Sequence, residues 1–239
     1  MLHTVDLDKS LDKDEYRRKL LENQVELRRL ALELYKQRRS LIVVYEGWDA
    51  SGKGGNIRRV SEKLDPRGYQ VYSIGPPKGD DQTHHYLWRF WRRLLPPDEK
   101  QILIFERSWY GRVLVERVEG LATETEWMRA YHEINDFERQ LNDSGIMIIK
   151  FWVHISQDEQ LRRFEARSNT PYKAWKLTED DWRNREKWEL YEEAASEMLV
   201  RTSTLKAPWV VVEGNDKYYA RVKVLKQLVQ LLDEELTNR

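Results

Sequence analysis

The sequence predicts an α/β fold built on a parallel sheet with helices on both faces. Short apolar runs typical of buried strands alternate with amphipathic helical segments, and this alternation is characteristic of parallel sheets. The 239 residues suffice for one sizeable α/β domain, and the 40% hydrophobic content suffices to bury its core. We therefore expect a single domain over residues 1–239 and exclude a largely disordered chain.

An amphipathic N-terminal helix is the first predicted element. Apolar side chains recur at helical spacing within residues 12–39, at Tyr16, Leu20, Leu27, Leu30 and Leu34. The residues between them are mostly charged, as expected for a face in contact with solvent. We expect residues 1–39 to form a helical extension ahead of the sheet.

Strand-like runs rich in β-branched and aromatic residues follow this helix. They lie at 41–46, 69–74, 102–106, 147–155 and 209–213. Capping-box sequences mark the starts of three helices, namely Thr123 with Glu126, Ser156 with Glu159, and Thr178 with Asp181. Residues 168–181 read as a loop between two helical patterns, so we expect a lid over about residues 160–190.

Charge and composition exclude several classes of function. The 41 basic residues balance the 41 acidic ones, so the chain lacks the positive field that favours nucleic-acid binding. No apolar run approaches the ~20 residues of a membrane span, and no secretory signal is visible. The absence of cysteine excludes disulfides and thiol catalysis. We expect a cytoplasmic protein without nucleic-acid or membrane partners, in which any polyanion is bound by a local cluster of cations.

A phosphate-binding loop is predicted directly after the first strand. LIVVYE runs into GWDASGKGG and then into a helical pattern, which places a Gly-x4-Gly-Lys sequence between a buried strand and a helix. Glycines let consecutive backbone N–H groups point inward, and the helix N-terminus favours a phosphate. Lys53 would reach the transferring phosphoryl group. The predicted loop residues are Gly47, Ala50, Ser51, Gly52, Gly54 and Gly55.

One loop position departs from the common P-loop pattern. Gly54 occupies the place where Ser or Thr usually binds Mg²⁺, so another group must hold the metal. Asp49, inside the loop, is the candidate ligand. The alternative role for Asp49 is to stabilise a turn through its side chain.

The strand at 102–106 predicts the partners of this loop. It ends in Glu106 and Arg107, and an acidic residue at the end of a neighbouring strand is the usual companion of a P-loop. Glu106 could bind Mg²⁺ directly, bind it through water, polarise the acceptor, or form a salt bridge. We expect both residues to face Lys53.

Cations elsewhere in the chain are candidates for binding a polyanionic substrate. The predicted binding residues are Lys78, Arg112, Arg117, Arg163, Arg167, Lys173 and Arg183. Arg163 and Arg167 share one helix face at i,i+4 spacing, and an arginine-bearing lid over a P-loop would neutralise developing charge and exclude water. The alternative for each residue is an ordinary solvated surface charge.

Motifs along nearly the whole chain resemble polyphosphate kinase family 2, and most closely its polyphosphate:AMP phosphotransferase branch. The resemblance rests on EGWDASGKGG, FERSWYGRVLVERVEG, KFWVHISQDEQLRRFEAR, YKAWKLTEDDWRNREKW and APWVVVEGNDKYYARVKVL. It implies Mg²⁺-dependent transfer of the terminal phosphoryl group of inorganic polyphosphate to an adenine nucleotide. It also implies a P-loop kinase fold similar to thymidylate kinase, a five-stranded sheet in the order 2-3-1-4-5, a helical lid, and a homo-oligomer, either dimer or tetramer.

The same resemblance suggests roles for four residues. Asp49 and Lys53 match the catalytic pair of the family's P-loop, for which Gly54 is normal, and Arg107 matches the arginine after the strand's acidic residue. The family motif typically has Asp or Asn where this chain has Glu106. The catalytic assignment is therefore Asp49, Lys53, Glu106 and Arg107, with Asp49 and Glu106 as metal ligands, direct or water-bridged.

Three functions are compatible with these patterns. The first is transfer from polyphosphate to AMP, with transfer to ADP as the variant reaction. The second is an ordinary nucleotide kinase that uses ATP as donor. The third is a catalytically weakened polyphosphate-binding module, which Glu106 favours and the intact Asp49 and Lys53 oppose.

Overall fold

The structure, a computed structural model, describes residues 2–95, 101–171 and 177–237. Its strands are β1 (Leu41–Gly47), β2 (Tyr69–Ser73), β3 (Ile102–Glu106), β4 (Met147–His154) and β5 (Trp209–Glu213). They form a central parallel sheet with the order β2-β3-β1-β4-β5. The predicted fold class and strand order are confirmed, and each strand lies within a residue of its predicted bounds.

The helices connect and cover these strands. They are α1 (Lys13–Lys36), α2 (Lys53–Ser61), α3 (Trp88–Trp91), α4 (Val115–Val118), α5 (Glu124–Asp143), α6 (Gln157–Ser168), α7 (Glu179–Glu186), α8 (Trp188–Thr202) and α9 (Lys217–Thr237). Short 3₁₀ helices lie at Leu2–Thr4, Gly79–Gln82 and Trp109–Val113. Helix α1 ends before the predicted residue 39 because Arg38 adopts a left-handed conformation, with φ of 51°.

The predicted capping residues begin their helices. Thr123 and Glu126 form a reciprocal capping box at α5. The Ser156 hydroxyl accepts from the backbone N–H of Glu159 at the start of α6, and Asp181 accepts from the backbone N–H of Thr178 before α7. These contacts satisfy N–H groups that a helix start leaves without a partner.

Two apolar layers cover the sheet, one on each face. In β1, Leu41, Val43 and Tyr45 point to the layer that contains α1, α2 and α9. The alternate residues Ile42 and Val44 point to the layer that contains α5 and α8. Successive side chains of a strand point to opposite faces, so a central strand covered on both sides must be apolar at every position. This explains the unbroken run LIVVY.

A charged residue in the middle of β4 has its partners in the second layer. The ammonium of Lys150 donates to Glu138 Oε2 at 2.7 Å, to the Tyr110 hydroxyl at 2.8 Å and to the backbone carbonyl of Thr202 at 2.7 Å. Lys150 is completely buried, and these three acceptors match its three donors. The buried pair joins β4 to α5 and to the end of α8.

The described residues contain no helix that is both long enough and apolar enough to cross a membrane.

Candidate functional site

The loop between β1 and α2 has the backbone of a phosphate-binding loop. Gly47 and Gly52 have φ of 141° and 107°, values that other residues adopt only with strain, and Ala50 also has a positive φ, of 60°. A Cβ on Gly47 would lie 2.4 Å from the carbonyl oxygen of Val153 in β4, so only glycine fits there. The loop leads into α2 at Lys53, followed by Gly54 and Gly55 in the first turn. The free N–H groups of this turn favour an anion.

Lys53 turns its side chain back into the loop. Its ammonium donates to the carbonyl oxygens of Gly47 at 2.7 Å and Trp48 at 2.9 Å, and the residue is buried. Burial lowers the pKa of Lys53, whereas the charge of Asp49 opposes that decrease. A positive charge fixed against the loop is suited to contact a bound phosphoryl group.

Asp49 is held by side chains from two distant segments. Its Oδ1 accepts from Arg107 Nη2 at 2.8 Å, and its Oδ2 accepts from Asn184 Nδ2 at 2.9 Å. Burial raises the pKa of Asp49, but the positive charges of Lys53 and Arg107 lower it by more. The pKa of Asp49 therefore lies below its usual value. Asp49 is therefore an ionised carboxylate joining β1, β3 and the predicted lid.

Arg107 reaches Asp49 through an unusual backbone conformation. Its φ is 62°, and its N–H donates to the carbonyl oxygen of Tyr45 at 3.0 Å. A positive φ is unfavourable for a residue with a long side chain, and such strain is common at functional sites. Here it ends β3 and accompanies a guanidinium that is half-exposed and directed at the phosphate loop.

Glu106 lies beside the first turn of α2. A Cβ on Gly54 would be 3.5 Å from Glu106 Oε1, in ordinary van der Waals contact. The carboxylate thus stands next to the position where common P-loops carry a hydroxyl side chain.

The donor groups of this site fit Mg²⁺. Asp49 and Glu106 both act electrostatically on Lys53, so two carboxylates flank the same loop. Protein sites for Mg²⁺ usually supply one or two carboxylates, and substrate phosphates and water complete the shell. The described residues contain no cluster of three or more acidic, histidine or cysteine side chains that could hold a metal by themselves. Any Mg²⁺ at this site would therefore need bound phosphates or water to complete its coordination shell.

Sequence reasoning missed three residues of the site, namely Glu46, its partner Ser108, and Asn184. Glu46 is buried at the end of β1, where its Oε1 accepts from the Ser108 hydroxyl at 2.8 Å, and burial raises its pKa. A charged residue ending an apolar strand beside Gly47 was the signal available for Glu46. Asn184, the partner of Asp49, carried no local signal, because its role depends on where α7 packs.

Arg163 lies at the site, but its donors are engaged by the backbone. Nη1 donates to the carbonyl oxygens of Ala50 and Ser51 at 3.0 and 2.7 Å. Nη2 donates to those of Gly214 and Asn215 at 2.6 and 3.1 Å. The side chain is buried and fastens the phosphate loop to the segment between β5 and α9. Its binding of substrate stays a prediction.

The other predicted cations lie in different surroundings. Three of them pair with carboxylates: Arg112 with Glu116, Arg117 with Glu193 and Glu197, and Arg183 with Glu119 and Asp180. Arg167 is partly exposed one turn after Arg163, and Lys78 is exposed before the 3₁₀ helix at Gly79–Gln82. Lys173 lies outside the described residues. Substrate binding by these residues also stays a prediction.

The family model for polyphosphate kinase 2 (PPK2) matches residues 10–239. The chain belongs to this family. It is 50% identical over 228 residues to a polyphosphate:AMP phosphotransferase from Pseudomonas aeruginosa, covering 95% of this chain and 46% of the relative. It is 38% identical over 226 residues to ADP-polyphosphate phosphotransferase 2 from Rhizobium meliloti, covering 95% of this chain and 73% of the relative.

A solved polyphosphate kinase 2 from Pseudomonas aeruginosa PA01 has a similar structure. The two superpose with a TM-score of 0.96 at 48% identity, covering 100% of this chain and 51% of the other. This PPK2 chain therefore spans about half the length of both Pseudomonas relatives. The match extends over the whole sheet and every described helix of the fold.

Proposed function

We propose that this PPK2 chain transfers the terminal phosphoryl group of inorganic polyphosphate to AMP and forms ADP. The observation that carries the proposal is the fixed cluster of Lys53, Asp49 and Arg107 around a glycine-rich loop. Family membership supports polyphosphate as the donor. The 50% identity to a polyphosphate:AMP phosphotransferase, against 38% to an ADP-polyphosphate phosphotransferase, supports AMP as the acceptor.

The proposed reaction is a single in-line displacement. An oxygen of the AMP phosphate attacks the terminal phosphorus of the polymer, and the bond from that phosphorus to the bridging oxygen breaks. The polymer leaves one phosphate shorter and keeps the bridging oxygen and its electron pair. No covalent enzyme intermediate is required.

The residues of the site would act by positioning and by charge. The loop N–H groups and Lys53 bind the terminal phosphates, and Arg107 lies where it can take up negative charge that develops during transfer. Asp49 orients Arg107 and, with Glu106, would hold Mg²⁺. When bound, that ion neutralises phosphate oxygens.

Two alternative readings make different predictions. A nucleotide kinase would use ATP plus AMP and give no product from polyphosphate. A non-catalytic binding module has less support, because Asp49 and Lys53 are both present and both held in place by neighbouring groups.

The test is a competition assay with purified protein, polyphosphate, Mg²⁺, and AMP and ADP together. We expect a kcat/KM for AMP at least ~10-fold above that for ADP, about 1.4 kcal/mol in transition-state binding. Mainly ATP from the first minutes would move the protein to the ADP-using reaction. Product from ATP plus AMP without any from polyphosphate would establish the nucleotide-kinase alternative.

Self-association is part of the proposal and has a candidate surface on α1. Leu21, Val25, Leu32 and Tyr35 are exposed and lie on one face of the helix, at the spacing of a helix-pairing seam in which Arg28 takes the position between Val25 and Leu32. We propose that two copies pair through this stripe, in a dimer or in a tetramer built from it. A light-scattering mass of one chain at assay concentration would contradict this pairing.

The proposed function also includes dependence on Mg²⁺ and a cytoplasmic location.

A further inference from the structure

A tyrosine on α8 contacts the residue that holds Asp49. The Tyr191 hydroxyl donates to Asn184 Oδ1, on α7, at 3.1 Å. Asn184 in turn donates through Nδ2 to Asp49 Oδ2 at 2.9 Å. Tyr191 and Asn184 are both partly buried. A continuous chain of hydrogen bonds therefore runs from α8 through α7 to the carboxylate in the phosphate loop.

The side-chain amide of Asn184 must have one particular orientation for this chain to form. An ionised carboxylate only accepts hydrogen bonds, so Asp49 requires the Nδ2 side of the amide. If the amide turned over, its Oδ1 would face the carboxylate, and two acceptors would repel each other. A donor at Oδ1 favours the orientation that Asp49 needs, and the Tyr191 hydroxyl is that donor. Burial, and then the charges of Glu119 and Asp49, raise the pKa of Tyr191, so the hydroxyl keeps its proton.

Glu119 fixes the segment of α7 and α8 that carries these two residues. Its Oε2 pairs with Arg183 Nε at 3.1 Å and with Lys187 Nζ at 2.9 Å. These cations lie directly before Asn184 and three residues after it. Glu119 Oε1 lies 3.4 Å from the Tyr191 hydroxyl, farther than Asn184 Oδ1 does. Because a hydroxyl has a single proton to donate, the closer Asn184 is its favoured partner.

A stacked pair of tryptophans fixes α8 against the phosphate loop. Trp48, the loop residue before Asp49, stacks on Trp188, the first residue of α8, with ring centroids 3.7 Å apart and planes at 9°. Trp48 Nε1 also donates to His154 Nδ1 at 2.9 Å, which holds the indole in place. Tyr191 follows Trp188 by three residues, so the two side chains lie on one side of the helix. The stack therefore keeps Tyr191 at a fixed position relative to the loop.

We propose that Tyr191 is a positioning residue for phosphoryl transfer, which orients the Asn184 amide and, through it, the Asp49 carboxylate. The inference rests on the proposed function and adds to it a residue that acts through two others. Asp49 also binds Arg107, so an Asp49 that loses its orientation changes where the guanidinium lies during transfer. A misplaced charge weakens stabilisation of the transition state more than it weakens binding of the ground state. The effect should therefore appear in kcat rather than in KM.

The experiment is a double-mutant cycle of Tyr191→Phe and Asn184→Ala, with polyphosphate and AMP as substrates. Tyr191→Phe removes only the hydroxyl, and we expect kcat to fall at least ~5-fold while both KM values stay within ~2-fold of wild type. The melting temperature should fall by less than about 4 °C. Asn184→Ala should lower kcat by at least as much. In the Asn184→Ala background, Tyr191→Phe should change kcat by less than ~2-fold, because the hydroxyl acts through Asn184.

The matched control is Tyr69→Phe, which removes a hydroxyl from another partly buried tyrosine. Tyr69 is the first residue of β2, at the opposite end of the sheet from the phosphate loop. We expect this variant to keep the wild-type kcat and KM. Equal losses in Tyr69→Phe and Tyr191→Phe would overturn the inference, as would an unchanged kcat in Tyr191→Phe. A further ~5-fold loss in the Asn184→Ala background would also overturn it, since the hydroxyl would then act by another route, such as Glu119.

The choice of donor separates this inference from the proposed function. A wild type that transfers nothing from polyphosphate would refute the proposed function. The same cycle would then be measured with ATP and AMP, and the same coupling between Tyr191 and Asn184 would still support the positioning role. A wild type without turnover from either donor would refute both, because no transfer would then depend on Asp49.

Discussion

Replacing Arg163 by methionine tests whether this residue fastens the phosphate loop or binds substrate. Methionine has similar length but no donors, so Arg163→Met removes the four hydrogen bonds to backbone carbonyls, at 2.6 to 3.1 Å, and the pair with Glu159. The side chain is 4% exposed, so water cannot readily replace the lost bonds. Glu159 keeps Arg162 as a partner, which limits the charge left uncompensated.

The expected loss of stability is about 3–5 kcal/mol, the usual cost of removing one partner from a buried charged network. For a chain of this length, 1 kcal/mol corresponds to about 2–4 °C, so the melting temperature should fall by between about 6 and 20 °C. Thermal unfolding followed by circular dichroism measures this shift. Arg167→Met, one turn farther along α6 and partly exposed, is the matched control and should shift it by less than about 2 °C.

The same variant decides between the two roles. An Arg163→Met protein that melts within about 2 °C of wild type would refute the structural role. If such a protein also had a raised KM for polyphosphate, Arg163 would be the substrate-binding residue that the sequence predicts. A large stability loss would assign it to the loop.

Three further perturbations have definite expected outcomes. Lys53→Ala should lower turnover by ~100-fold or more through lost charge stabilisation, and near-wild-type turnover in a folded variant would remove the loop from the mechanism. Glu106→Asp should keep activity, whereas Glu106→Gln should reduce activity and raise the Mg²⁺ concentration needed for half-maximal turnover. If Mg²⁺ titrations of the Glu106→Gln variant and wild type superimpose, the side chain is purely structural. Burial lowers the pKa of His154 from 6.5 to about 4. Between these pH values the unfolded chain binds a proton that the folded chain does not. The free energy of unfolding should therefore fall by up to about 3 kcal/mol as the pH drops through this window. Urea unfolding at both ends of the window should show a smaller decrease for His154→Gln, and an equal decrease would exclude His154 as the cause.

The sequence by itself determined the features that depend on neighbouring residues. Strand positions followed from apolar runs, because a strand covered on both faces must be apolar throughout, as β1 is. Helix starts followed from capping pairs such as Thr123 with Glu126, whose contact spans three residues. The phosphate loop could be predicted because its glycines, its lysine and the flanking strand and helix are contiguous. The strand order came from the resemblance to a known family, since five strands can be arranged in many ways that the residues alone do not distinguish.

Only the tertiary structure decided which distant side chains meet. Asn184 and Asp49 are 135 residues apart, and their contact exists because α7 packs over the loop. Arg163 shared a predicted helix face with Arg167, yet packing buried its guanidinium against the backbone carbonyls of two distant segments. A cation's role depends on whether a carboxylate lies within reach, and sequence spacing determines that only within a helix.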